Sequence, residues 1–118
     1  MSFTDSLRRV IHELEEAQGV ALVGTDGIVV EEQKRDKALD LQSLGAEYCS
    51  VLKTADKGTS SMDLGSLEEL SVQTDKALVL IRRIHEEYFL LLVIRKDGNF
   101  GKGRYLMRRE GAGLKSEL

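Results

Sequence analysis

The 118-residue chain has no proline and no tryptophan, one cysteine, two histidines and 5% aromatic residues. Average composition would supply about six prolines in a chain of this length, so no strand has to be interrupted by a missing N–H. The lone Cys49 excludes an internal disulfide and fits a reducing, cytoplasmic setting. Long apolar runs are also missing. The longest covers residues 88–94, far below the twenty or so residues of a bilayer span, so no membrane insertion is expected. A positive surplus is absent as well: 17 basic against 20 acidic residues leave a net charge of −3 and a pI of about 5.4. That argues against nucleic acid as a partner. Residues 1–14 are amphipathic and carry Asp5, Arg8, Arg9, His12 and Glu13, unlike a signal peptide.

What is present is a globular composition, 42% apolar and 31% charged. A chain of this size buries roughly two-thirds of its unfolded surface, enough for one core. A single domain over 1–118 is expected.

Phe3, Leu7, Val10, Leu14 and Ala17 form a narrow apolar stripe that predicts a helix over 3–17, capped by Ser2 or Thr4 and followed by Gly19. Its charged face reads as solvated. The runs 20–23 and 28–30 flank Gly24-Thr25-Asp26-Gly27, a hairpin signal because glycine supplies the positive φ that such a turn needs. Residues 31–37 read as a loop. From 38 to 57 the helical period returns, with Leu41, Leu44, Tyr48, Val51, Leu52 and Ala55 on one broad stripe that can lie on a sheet. Beside it run the small residues Ala38, Gly45 and Cys49. They either pack on the same sheet or let a second helix approach across a dimer axis. Leu39 lies off both stripes, as an apolar contact point or a helix-start residue.

Residues 58–66 have loop chemistry. The alternating segment 67–74, with Leu70 and Val72 on one side, reads as an edge strand. Segments 77–84 and 88–94 are nearly continuous apolar runs, as in interior strands covered on both faces, and the short 85–87 connection makes them an antiparallel hairpin. A last helix starts near Phe100. It is weakened by Gly103 and Gly111 and expected to fray from Glu110 through 118. The order is helix, two strands, helix, three strands, helix.

Catalytic chemistry is thin. His12 and His85 stand alone, Cys49 has no histidine nearby, and no Cys/His spacing suits zinc. The acidic pairs at 15–16, 31–32, 68–69 and 86–87 put neighbours on different faces, so none forms a convergent dyad. Gly98-Asn99-Phe100-Gly101-Lys102-Gly103 follows a strand and opens a helix, yet its G-x-x-G-x-G spacing fits neither the dinucleotide fingerprint nor the P-loop. It reads as a tight turn. The pairs Arg82-Arg83 and Arg108-Arg109, with Arg104, read as surface charge or local salt bridges. No catalytic residue, metal site or cofactor is assigned.

Residues 19–30, GVALVGTDGIVV, resemble the opening hairpin of roadblock/dynein light-chain domains. Residues 77–94, ALVLIRRIHEEYFLLLVI, are similar to their long hairpin, and 97–109, DGNFGKGRYLMRR, to the start of the third helix in bacterial members of the MglB type. The resemblance implies an α+β, profilin-like sandwich: a five-stranded antiparallel sheet, the middle helix on one face, the terminal helices on the other. It also implies a homodimer, or a heterodimer with another roadblock chain, joined through the middle helix and adjacent edge strand. Ala38, Leu41, Gly45, Cys49, Leu52, Leu70 and Val72 would form that interface. A Ras-like small GTPase of the MglA type would dock on Leu39, Ser43, Ala46, Glu47, Ser50 and Lys53, its hydrolysis steered without a catalytic residue from this chain. A light-chain-like assembly adaptor is the alternative. The polarity regulators carry a C-terminal extension, whereas this chain ends at Leu118, so a platform is favoured over an activating tail.

Overall fold

The computed structural model describes residues 3–118. Among them lie α1 (Phe3–Glu13), β1 (Ala17–Gly24), β2 (Val29–Lys34), α2 (Leu41–Ser61), β3 (Glu69–Gln73), β4 (Ala77–His85), β5 (Tyr88–Arg95) and α3 (Phe100–Lys115). The strands form one antiparallel sheet in the order β2-β1-β5-β4-β3, so β2 and β3 are its edges. The expected element order and edge position of 67–74 are both observed.

The three inner strands are apolar on both sides because each side carries a helical layer. Leu90, Leu92 and Ile94 of β5 join Leu7 and Val10 of α1 and Met107 of α3 in one core. Phe89, Leu91 and Val93, pointing the other way, join Leu41, Cys49 and Leu52 of α2 in a second. The alternation of a β-strand therefore divides one continuous apolar run between two cores.

Boundaries differ from the sequence expectations for identifiable reasons. The helix predicted over 3–17 stops at Glu13, because Ala17 is already paired with Ile94 in the sheet. The Arg35 guanidinium closes that helix end, donating to the carbonyls of Leu14 at 3.0 Å and Glu15 at 2.7 Å, and also to those of Ile11 and Ala17. Those of Ile11, Leu14 and Glu15 lie at or just beyond the last helical turn, where carbonyls lack intrahelical partners. Ser2 lies outside the described residues. Thr4 sits within α1, and its hydroxyl donates to Glu31 Oε2 at 2.7 Å. Most of the polar stretch read as a loop at 31–37 extends β2, which tolerates it because an edge strand needs little apolar surface. Gly27 has the anticipated positive φ, +85°.

α2 continues through residues 58–61, where the hydroxyls of Thr59 and Ser61 donate back to helix carbonyls. α3 continues past Glu110 to Lys115, with Leu114 fully buried. Its register is held by α1, which lies beside it on the same face of the sheet. Arg9 Nη2 reaches Glu110 Oε1 at 2.8 Å, while Arg109 bonds both Glu110 Oε2, at 2.8 Å, and Glu13. The polar side of α1 read as solvated is thus half of an interhelical ion-pair network. Burial works against ionisation of Glu110, yet hydrogen bonds from Arg9 and Arg109 outweigh it and hold the carboxyl below its ordinary range.

Candidate functional site

Asp40 starts α2, its Oδ1 accepting the Ser43 amide at 3.0 Å and its Oδ2 the Ser43 hydroxyl at 2.7 Å. These bonds depress the Asp40 carboxyl, with the Ser43 amide as the largest influence. The helix then runs along β1 and β2. Gln42 Nε2 donates to Gly27 O at 3.1 Å, and Cys49 Sγ donates to Thr25 O at 2.8 Å. A Cβ added at Gly45 would lie 3.2 Å from Val23 Cγ1, so glycine there lets the helix sit close to β1. Toward its end α2 meets β4, where Asp56 pairs with Arg83 at 3.2 Å and accepts the Leu67 amide at 2.7 Å.

This geometry resolves the small-residue stripe. Gly45 and Cys49 face the molecule's own sheet, as do the buried Leu41 and Leu52. Those four offer almost no surface to a second chain, and the helix-to-helix reading of the stripe does not describe them. Of the other expected interface residues, Ala38 is exposed before α2, while Leu70 and Val72 are half-buried on edge strand β3. The broad apolar stripe of the sequence spans two separate faces of α2. Leu44, Tyr48, Val51 and Ala55 recur at helical spacing on the flank opposite Gln42 and Ala46, which meet Gly27 in the β1–β2 turn. Leu44, Tyr48 and Ala55 are half-buried and Val51 is 43% exposed. Leu44 and Tyr48, like Leu70 and Val72 of β3, pack at the margin of the core beneath α2, and Val51 continues their line into solvent, a surface that rewards covering. The distinguishing signal in the sequence was angular: these four lie off the line joining Leu41, Gly45, Cys49 and Leu52.

Ser43, Ala46, Glu47, Ser50 and Lys53 are all exposed, on the remaining outer arc of α2. Leu39 departs from them: it is half-buried, lies over Gly19 and belongs to the apolar cluster beneath the helix. The structure therefore brings together five of the six residues expected for GTPase docking.

The glycine-rich turn is a packing device. A Cβ at Gly98 would meet Ile94 Cγ2 at 2.4 Å, and one at Gly103 would meet Ile94 Cδ1 at 2.6 Å. Asn99 Oδ1 takes the Lys102 amide at the start of α3. The arginines find partners away from the 85–87 turn: Arg82 and Arg104 reach Glu69, and Arg83 reaches Asp56. Among the described residues no three His, Cys, Asp or Glu side chains are placed to hold a metal ion. None of the described helices is long and apolar enough to cross a membrane.

The described residues thus form an α+β sandwich with a half-covered helix flank and two open strand edges. No protein-family model matches the sequence, and no curated protein matches it significantly. Solved structures do. A roadblock/LC7 domain from Streptomyces avermitilis has a TM-score of 0.89 at 13% identity, over 100% of this chain and 98% of that one. MglB from Myxococcus xanthus has a TM-score of 0.87 at 12% identity, over 96% and 84%. These two share the fold. MglC from Myxococcus xanthus is 35% identical over 100% of both chains, with a TM-score of 0.72. The chain belongs to the roadblock/LC7 domain family, with MglC as a relative.

Proposed function

We propose that this roadblock domain acts in the cytoplasm as a non-catalytic homodimer that presents the outer arc of α2 to a Ras-like small GTPase of the MglA type. The observation that carries the reading is the division of α2 into three faces. The first, through Leu41, Gly45, Cys49 and Leu52, holds the helix to its sheet. The second, through Leu44, Tyr48, Val51 and Ala55, joins Leu70, Val72 and the β3 edge as the surface for a second copy. Ala38, exposed just before the helix, serves the same contact. The third, Ser43, Ala46, Glu47, Ser50 and Lys53 with the partly covered Leu39, is left for the GTPase. In this reading any effect on hydrolysis comes from positioning the partner's own groups.

Val51→Asp places a charge in the second face while leaving the first intact. The variant is expected to keep its circular dichroism spectrum and to sediment as a monomer where the native chain sediments as a dimer. Glu47→Lys with Lys53→Glu is expected to leave the dimer unchanged and abolish binding to an MglA-type GTPase loaded with a GTP analogue. A native chain that is monomeric at tens of micromolar (~10–50 µM) refutes the dimer, since an interface of standard size holds well below that concentration. Undiminished binding by the charge-swapped variant refutes the docking face.

A further inference from the structure

The second sheet edge, β2, lies at the far side of the sheet from β3, so it stays open whether or not α2 and β3 pair with another copy. Its start carries the exposed apolar side chains Ile28, 58% exposed, and Val30, 48% exposed. With Tyr88 they border a shallow cavity of about 340 Å³ between the β1–β2 and β4–β5 turns, which the Thr25 amide ties together by donating to Glu87 O at 2.9 Å. Two acidic groups, Asp26 and Glu87, line the cavity, and Glu31 follows on β2. Among the described residues no ion pair reaches any of the three.

The edge backbone is held by placeholders. The Glu32 amide donates to the carboxylate of its neighbour Glu31 at 3.2 Å, and the Val29 amide to Gln42 Oε1 at 3.3 Å. An arriving strand can supply a carbonyl to Glu32 N–H and release Glu31 Oε1 for a cation, while Glu31 Oε2 keeps the Thr4 hydroxyl. A second copy of β2 is the wrong occupant, because antiparallel self-pairing centred on this strand would set Glu31 and Glu32 against the same residues of the copy.

We propose that the β2 edge is a docking site for an extended, basic segment of another protein that alternates Lys or Arg with apolar residues. The segment adds a strand beside β2, lays its apolar side chains on Ile28, Val30 and Tyr88, and turns its cations to Asp26, Glu31 and Glu87. The inference is independent of the GTPase reading, since it uses the opposite edge.

The test is a titration of the isotope-labelled full chain with a capped octapeptide of alternating Lys and Val, followed by amide NMR shifts. Glu–Val and Lys–Gly octapeptides serve as controls. Shifts are expected at residues 26–34 and 87–88, with the Lys–Val peptide binding at least about tenfold more tightly than either control and more weakly as salt rises. The single change Glu87→Lys is expected to weaken it about tenfold, as is Val30→Asp, with melting temperature unchanged in both variants. Equal binding of the Glu–Val peptide removes the electrostatic basis, and equal binding of Lys–Gly removes the apolar one. Shifts centred on α2 overturn the placement. A change in sedimentation caused by Val30→Asp in the absence of peptide assigns the edge to a second copy instead.

Discussion

Replacing Glu110 with glutamine tests whether the α1–α3 network supports the fold. The side chain is 6% exposed and receives Arg9 at 2.8 Å and Arg109 at 2.8 Å on different oxygens. Glutamine keeps the size and one acceptor but turns an NH₂ toward one guanidinium, so a donor faces a donor. Breaking a fully buried ion pair costs about 3–5 kcal/mol. Here both arginines are more than one-third exposed, and Arg109 keeps Glu13, so much of that penalty is relieved by water. A loss of about 2 kcal/mol remains, which lowers Tm by about 8 °C in a chain of this size. The pH dependence has a fixed sign. Glu110 ionises more readily folded than unfolded, so its contribution is complete above the ordinary glutamate value of 4.5 and fades as pH falls through the lower folded value. Denaturant unfolding of both proteins at equal concentration from pH 7 to pH 3 is the assay. The stability gap is expected to close toward pH 3. A gap that stays constant, or is absent at pH 7, refutes the role assigned to the carboxylate.

Two glycines of α3 should respond oppositely to alanine. Gly113 has nothing within 4 Å of an added Cβ, so Gly113→Ala is expected to stabilise by about 0.5–1 kcal/mol. Gly103→Ala crowds Ile94, Leu80 and Leu92 and is expected to destabilise by about 1–3 kcal/mol, both read from denaturant midpoints. Asn99→Ala removes the acceptor for the Lys102 amide and is expected to cost about 1 kcal/mol, recovered by Asn99→Asp. The buried Cys49 thiol is expected to react with a thiol reagent only at the rate of opening, so modification should accelerate as denaturant is added.

The element order and the two-faced strands were legible because periodicity reports burial directly. The long run 88–94 had to be covered on both sides, and the alternating 69–73 could be covered on only one. The end of α1 was not legible, since Leu14 and Ala17 continue the apolar stripe while the competing sheet pairing and the Arg35 clamp come from distant residues. The site was half legible. Leu41 and Leu44 share one apolar stripe on a helical projection, but only the position of α2 over β1 and β2 turns the first inward and leaves the second on an open flank. The ion pairs of Arg9 and Arg109 were hidden for the same reason: Glu110 is about a hundred residues from Arg9 in sequence.

β5 is apolar on both faces, so sliding it by one residue would exchange Phe89, Leu91 and Val93 for Leu90, Leu92 and Ile94 with little change in apolar burial. Hydrophobic patterning, which ordinarily fixes strand register, is nearly silent here. The frame is set instead at the ends of the strand. One is the irregularity between Arg83 and His85, which absorbs the β4–β5 turn. The other is Gly98, wedged against Ile94 and Glu16 with no room for slack. The strand is cut to length between two stops. Adding or deleting a residue at either turn would then misalign the hairpin while keeping it greasy and cohesive, a slipped but persistent sheet in place of an unfolded chain.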